Sequence, residues 1–481
     1  MRRDRPWAVL SVLCAGFFVT LLDTSIVNVA IPRVRADLDA GLDQVLWVVN
    51  GYLLAFAVPL ITAGRLGDRF GPRRVYLAGL SLFTLASALC GAAPGIDALI
   101  AARVLSGVGA ALLGPQTFAF ITILFPPSRR GAALGVWGAV AGLATATGPL
   151  VGGLVVGALG WRWVFLINVP VGILGVVLAA LLAPDSRPGA RHRFDVPGTV
   201  VISLALLAIS FGLLEGQRYR WGPVAGPVSI PALLVVGTLL LGLFVLLQRA
   251  GTREPLVPPA LFASRNFTLA SAVMLCFGFA MAGLALPLTL YLQDGLGLGP
   301  AAAGGVLAVA SLASGLVAPF AGRAAARVGR IALLAGGLLA YAVGLSLVAA
   351  SAQGAAGPWP LVPPLLLTGA GIGCVFMLVA ELAVGDLPPH LAGAASGVFN
   401  TTRQVGGVFG AAAIGALLQD RVAATGELAR ALRETTVLPV AVTLIGLACV
   451  VVPMYLSRSG KPARHSDKYG VGIGRGNAVR R

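Results

Sequence analysis

Apolar residues run along this chain in blocks of roughly twenty, separated by short stretches rich in Arg, Gly and Pro. Wound as a helix rising about 1.5 Å per residue, such a block matches the roughly 30 Å hydrocarbon core of a bilayer. Fourteen blocks are readable, at about residues 8–31, 44–64, 74–93, 98–124, 132–157, 163–183, 198–214, 230–248, 268–292, 301–322, 331–350, 361–384, 396–418 and 436–456. The predicted fold is all-α and integral to the membrane, with about fourteen transmembrane helices. The first block follows Met1-Arg2-Arg3-Asp4-Arg5, as in a signal peptide. It reaches Ile31, too long for a cleaved leader, and more spans follow, so it is read as an uncleaved first span.

The polar residues between the blocks set the orientation. With the N-terminus taken as cytoplasmic, 25 of the 35 Lys and Arg residues fall on that side and eight on the other. Cytoplasmic loops carry the basic excess, so both termini are expected in the cytoplasm, which requires an even number of spans. Trp47, Trp161, Trp163, Trp221 and Trp359 then gather near the outer interface, where indole rings settle.

The pattern also repeats. Gly107-Val108-Gly109 returns as Gly369-Ala370-Gly371, and Pro126-Pro127 with Gly131-Ala132-Ala133 as Pro388-Pro389 with Gly393-Ala394-Ala395, all at an offset of 262. Gly64-Arg65 and Gly71 return as Gly322-Arg323 and Gly329 at an offset of 258. That distance covers eight predicted helices, an even number, so the copies share one orientation. Parallel repeats about an axis along the membrane normal are a transporter architecture, with the substrate site between the halves near the midplane. The expected organisation is a six-helix bundle at 1–185, two extra transmembrane helices with linkers at 186–265, a second six-helix bundle at 266–457, and a disordered cytoplasmic tail at 458–481.

Composition narrows the function. Hydrophobic residues make up 57% and charged residues 11% of the 481, against about 25% charged in soluble domains. The net charge of +17 does not imply nucleic acid, because the basic residues sit in short loops beside spans and form no continuous patch. Scarce Lys beside abundant Arg, Ala and Gly points to a GC-rich genome and a bacterial source. Cys14, Cys90, Cys276, Cys374 and Cys449 all lie inside apolar blocks without metal-ligand spacing, and read as small buried hydrophobes.

Four charges lie inside spans: Asp23, Arg103, Glu381 and Arg403. Each costs roughly 2.5–3.5 kcal/mol at a helix centre, so each needs a partner or a wet cavity. Asp23 lies about 13 Å below the outer surface and Arg103 about 9 Å, on oppositely directed helices. A carboxylate that binds and releases a proton beside an arginine is the preferred reading, against a static ion pair locking two helices. Glu381 and Arg403 both lie about 10–15 Å above the cytoplasmic face, on neighbouring antiparallel spans. Here a static pair and a functional role stand level, the latter being a second proton site or recognition of a cationic substrate.

Gly64-Arg65-Leu66-Gly67-Asp68-Arg69-Phe70-Gly71-Pro72-Arg73-Arg74 reads as a tight cytoplasmic link between spans two and three. Its glycines permit left-handed turns, Pro72 suits a helix start, and Asp68 among arginines can make charge-assisted bonds that break and reform. Plain topogenic arginine is the equal alternative. The fifth span carries Gly142, Gly148-Pro149 and Gly152-Gly153, a smooth stripe for close packing with a proline expected to kink it. No His lies in a span, no Gly-x-x-x-x-Gly-Lys loop is present, and no nucleophile–base set stands out in the loops. No cofactor or metal is expected.

Together these residues resemble the major facilitator superfamily, specifically its fourteen-span drug:proton antiporter branch. Leu22-Asp23-Thr24-Ser25-Ile26-Val27-Asn28-Val29-Ala30-Ile31-Pro32 resembles the branch's first-helix signature, and Gly64 to Arg74 the superfamily's loop motif. Arg103 with Gly107 and Gly109 resembles the fourth-helix motif linked to proton transfer, and Gly142 to Gly153 the fifth-helix motif of antiporters. Trp161 to Pro170 and Asn400-Thr401-Thr402-Arg403-Gln404 resemble further stretches. The resemblance implies the major facilitator fold, alternating access and proton-driven export of an amphipathic drug-like compound or secondary metabolite. The chain is expected to work as a monomer in the cell membrane. It gives Asp23 and Arg103 coupling roles, makes Gly64, Arg65, Gly67, Asp68, Arg69, Gly71, Arg73 and Arg74 a gating loop, and nominates Asp23, Asn28, Asn400 and Gln404 for the substrate cavity. Ser106 stands where the fourth-helix motif often has Gln, and Ala326 replaces Asp68 in the second copy of the loop. Glu381 is the lone acid of the later spans, which argues against multiply charged cations.

Two other functions compete. A proton-coupled symporter importing a small nutrient fits the fold but not the antiporter-like fifth helix. A membrane-embedded enzyme needs catalytic or metal-ligand clusters at the interface, and the sequence offers none.

Overall fold

A computed structural model describes residues 5–185, 195–216, 218–226, 228–250, 255–352, 357–385, 387 and 391–459. The N-terminal half consists of α1 (Pro6–Asp37), α2 (Leu42–Ala57), α3 (Leu60–Phe70), α4 (Pro72–Gly91), α5 (Ile96–Leu124), α6 (Pro127–Leu159), α7 (Trp163–Leu166) and α8 (Asn168–Leu182). Next come α9 (Val196–Glu215), a hairpin of β1 (Pro223–Ala225) and β2 (Val228–Ser229), α10 (Ile230–Arg249) and the short α11 (Ala260–Ala263). The C-terminal half holds α12 (Arg265–Leu290) with a π-helical turn at Tyr291–Gly295, α13 (Pro300–Val328), α14 (Arg330–Ser351), α15 (Val362–Val384), α16 (Ala392–Thr425) and α17 (Leu428–Ser459). The predicted tail beyond Ser459 and the Pro388-Pro389 anchor lie outside the described residues.

Among the described residues, twelve helical stretches are long and apolar enough to cross a bilayer, and the bent pair α2–α3 makes a thirteenth. That count compares with about fourteen predicted; helix α6, 33 residues long, reaches about 50 Å but is not among the thirteen. Large apolar side chains such as Leu154, Leu239, Leu316 and Val437 stay exposed. In water that surface is a liability; against lipid tails it is the required one.

Two local expectations change. The predicted second span bends by 46° between Ala57 and Leu60, where Pro59 has no N–H to continue the ladder. The predicted link from Gly64 to Arg74 is mostly helix: α3 runs through Phe70, and Pro72 opens α4 directly. Gly71 alone breaks the run, at φ 88°, a conformation glycine adopts without steric penalty. Its repeat partner Gly329 joins α13 to α14 at φ 97°.

The duplication is visible in packing. In the first half, a Cβ on Gly107 of α5 would lie 2.5 Å from the Tyr52 carbonyl oxygen on α2, and one on Gly109 2.6 Å from the Phe83 nitrogen on α4. In the second, a Cβ on Gly369 of α15 would run into the Ala310 carbonyl oxygen on α13, and one on Gly371 would lie 2.7 Å from the Tyr341 nitrogen on α14. Each glycine pair lets one helix seat against two neighbours at backbone distance. The halves meet where α6 lies along α13 and α3 against α16.

The extra helices are held by polar staples. Gln248 on α10 donates to Asp195 Oδ2 at 2.7 Å and accepts from the Val257 N–H at 3.0 Å. Buried Glu215, ending α9, accepts from Asn50 of α2 at 2.7 Å and from Arg218 at 3.1 Å. The hairpin between these helices has no counterpart in the sequence reading.

Candidate functional site

Asp23, midway along α1, is fully buried and forms an ion pair with buried Arg103 of α5. The Arg103 Nε–H donates to the Val48 carbonyl of α2 at 3.0 Å. Its guanidinium carbon lies 4.2 Å from the centre of the Tyr52 ring and 5.6 Å from that of Phe165, close enough for cation–π attraction. The other carboxylate oxygen of Asp23 accepts from Asn168 Nδ2 at 3.1 Å. Asn168 opens α8 immediately after the break at Ile167. One carboxylate thus draws together α1, α5 and α8, and through Arg103 also α2. Buried pairs persist only with such geometry and supporting hydrogen bonds, because desolvation rivals the Coulombic gain. Ser106 takes no part: its hydroxyl lies 3.9 Å from the Cys90 sulfur.

Glu381 and Arg403 do not form the pair that their depths suggested. Glu381 Oε1 lies 3.4 Å from Arg330 Nε at the start of α14. Arg403 turns instead into a cavity of about 110 Å³ between the halves. Phe17 and Leu21 of α1, Trp137 of α6, Met281 of α12, Ser311 and Ser314 of α13, Phe376 of α15 and Asn400 of α16 share that lining. Trp137 stacks on Phe17 with ring centres 5.2 Å apart and meets Phe376 at 5.3 Å, joining the two halves. Phe118 touches Trp137 at 5.7 Å and stacks on Phe399 at 5.9 Å.

Of the residues nominated for the cavity, Asn400 lines it, its amide nitrogen donating to the Ser396 carbonyl at 3.0 Å. Asp23 is sealed away from it, and half-buried Gln404 lies outside its described lining. The side chain of Asn28 lies outside the described residues.

On α3, Arg65 pairs with Asp68 at 3.3 Å. Gly67 is covered by Gln116 of α5, which donates to the Ala63 carbonyl at 2.8 Å. Arg73 donates to the Ala180 carbonyl of α8, whereas Arg69 and Arg74 are exposed. Near Gly64 the halves close, a Cβ on Gly397 of α16 falling 3.1 Å from the Leu60 carbonyl oxygen and 3.2 Å from Ile61 Cα. The glycine stripe of α6 packs on α1 beside Asp23, Gly148 against Ser25 and Gly152 against Ile26; Gly153 is half-buried. Gly142 and Pro149 lie in the same helix, with the Pro149 side chain outside the described residues. The residue that sequence reasoning missed is Asn168. Its signal was a lone amide inside an otherwise apolar span.

Two helical bundles around a central cavity, with a buried ion pair beside it, define a membrane transporter. The family model of the Major Facilitator Superfamily matches residues 13–411, and the chain belongs to that superfamily. It is 42% identical to an uncharacterised MFS-type transporter of Mycobacterium tuberculosis, over 87% of this chain and 71% of that one. It is 36% identical to the tetracenomycin C resistance and export protein of Streptomyces glaucescens (87% and 77% covered). It is 38% identical to the puromycin resistance protein of Streptomyces alboniger (85% and 81% covered). Its fold matches that of the human organic anion transporter MFSD10, with a TM-score of 0.64 at 14% identity, over 92% of this chain and 99% of that one.

Proposed function

We propose that this chain is a proton-coupled antiporter that exports amphipathic drug-like compounds or secondary metabolites by alternating access. It works as a monomer in a bacterial cell membrane, with both termini in the cytoplasm and the proton gradient as its sole driving force. The observation that carries this reading is the sealed contact of Asp23 with Arg103 and Asn168, on the same helix that lines the cavity through Phe17 and Leu21. The names of the relatives, for export of tetracenomycin C and resistance to puromycin, supply the direction of transport.

A proton arriving at Asp23 neutralises one side of a buried pair. Arg103, its charge no longer answered, then relaxes toward Val48 and the Tyr52 ring, and α1 loses its tie to α5. Helix α1 also carries Phe17 and Leu21 into the cavity and packs on α6, which lies against α13 of the other half. Occupancy by H⁺ thereby biases which of two packings the halves adopt. In the positive-inside orientation the closed contact of Leu60 and Ile61 with Gly397 faces the cytoplasm, so the cavity is shut on that side.

Expression in an efflux-deficient bacterial host, challenged with a panel of toxic compounds, tests the reading. Raised tolerance to some of them, with lower cellular accumulation that Asp23→Asn abolishes, is the expected result. Unchanged tolerance across the panel contradicts it.

A further inference from the structure

We propose that the central cavity selects planar aromatic compounds bearing an anionic group, a carboxylate or phenolate, with Arg403 taking the anion and Trp137 the ring. This rests on the export reading for its assumption that substrate passes through the cavity.

Arg403 lines the cavity, and its buried Nε has no hydrogen-bond partner among the described residues. No acidic residue is among the described residues of the lining. The two acids near enough in sequence depth to answer it are engaged elsewhere, Asp23 by Arg103 and Glu381 by Arg330. A half-buried guanidinium inside a span, without a counter-charge among the described residues, is costly, and an incoming anion removes that cost with a charge-assisted, bidentate contact.

The second unanswered group has the same sign of need. Trp137 Nε1 is buried without a partner among the described residues, and an indole N–H, like a guanidinium, only donates. A ligand that satisfies both must bring acceptors. The wall beside them is aromatic from both halves: Trp137 lies between Phe17 and Phe376. Flat rings bury the most area against such a wall. A cationic aromatic would gain the same stacking but meet Arg403 as a like charge, a repulsive element that rejects it.

The test is calorimetric binding to the purified full-length protein in detergent, using anthracene carboxylate, anthracene methanol and anthracene methylammonium. The carboxylate is expected to bind about tenfold or more tighter than the ammonium, with the alcohol between them. Arg403→Gln should bring the three affinities together, and Arg403→Lys should retain part of the order. Trp137→Leu should weaken all three by similar factors. Equal or tighter binding of the ammonium, no binding of any probe, or a carboxylate preference that survives in Arg403→Gln overturns the proposal. The order in the unaltered protein decides by itself, so a variant that misfolds leaves the test intact. Binding needs no proton gradient: a correct order without cellular efflux sinks the export reading alone, and efflux with the wrong order sinks this one alone.

Discussion

Asn168 donates from Nδ2 to Oδ1 of Asp23 at 3.1 Å while Arg103 holds Oδ2, so the two oxygens of one carboxylate answer to different helices. A proton on Asp23 therefore alters the ties of α1 to α5 and α8 together. Coupling in this account is a matter of those ties, and each can be cut separately.

Removing Asn168 leaves a buried carboxylate oxygen without its donor. A hydrogen bond to a charged group contributes about 1.5–3 kcal/mol, so Asn168→Ala should slow proton-coupled efflux by about tenfold or more. Asn168→Asp should be worse, because it sets a second carboxylate against the first. Efflux rates in inverted membrane vesicles compare the two, and an Asn168→Ala protein of full activity argues against a coupling role for this contact.

Arg103→Leu strands the Asp23 charge in a dry site, a change that typically costs about 3–5 kcal/mol. Adding Asp23→Asn removes the stranded charge. The double variant should regain most of the lost thermal stability in detergent yet show no coupled transport. If the double variant is no more stable than Arg103→Leu, the two residues do not act as a pair.

Backbone-distance packing makes a sharper structural prediction. A methyl on Gly109 would sit 2.6 Å from the Phe83 nitrogen and one on Gly371 2.7 Å from the Tyr341 nitrogen, where backbone rather than a flexible side chain must yield. Gly109→Ala and Gly371→Ala should both lower yield and melting temperature. Gly336→Ala, in open space on α14, should be neutral or stabilising by up to about 1 kcal/mol. Equal melting temperatures for all three would show that the duplicated glycines do not set helix spacing.

The closure near Gly64 can be trapped. Cβ at position 397 falls 3.2 Å from Ile61 Cα, within reach of a disulfide. With the native thiols Cys14, Cys90, Cys276, Cys374 and Cys449 replaced, Ile61→Cys with Gly397→Cys should crosslink under oxidant and stop transport until reduced. Full transport through the crosslinked protein contradicts a rocking of halves at this contact.

Much of this was legible in the residues because a bilayer imposes length. Blocks of about twenty apolar residues locate spans, and counting residues from Pro32 and Asp97 put Asp23 and Arg103 at one depth. Depth, however, says nothing about direction around a helix. Glu381 and Arg403 share a depth, but one side chain turns to Arg330 and the other into the cavity, and the cavity lining depends on the same missing angle. Breaks within spans were also hidden. Pro59 was the cue for the bend of α2 into α3, yet prolines at 115 and 319 sit inside continuous helices, so proline alone does not announce a break. The α3 segment read as a loop because Arg, Gly and Asp resemble a turn, while its helical spacing places Arg65 and Asp68 three residues apart on one face.

Proton movement in liposomes bears most directly on the central claim. Purified protein is reconstituted with a trapped pH dye, a proton gradient is imposed, and a compound identified from the tolerance panel is added. The account predicts substrate-dependent proton flow opposite to the substrate, absent in Asp23→Asn. Proton flow in the same direction as the substrate, or uphill accumulation that persists in Asp23→Asn, would contradict it.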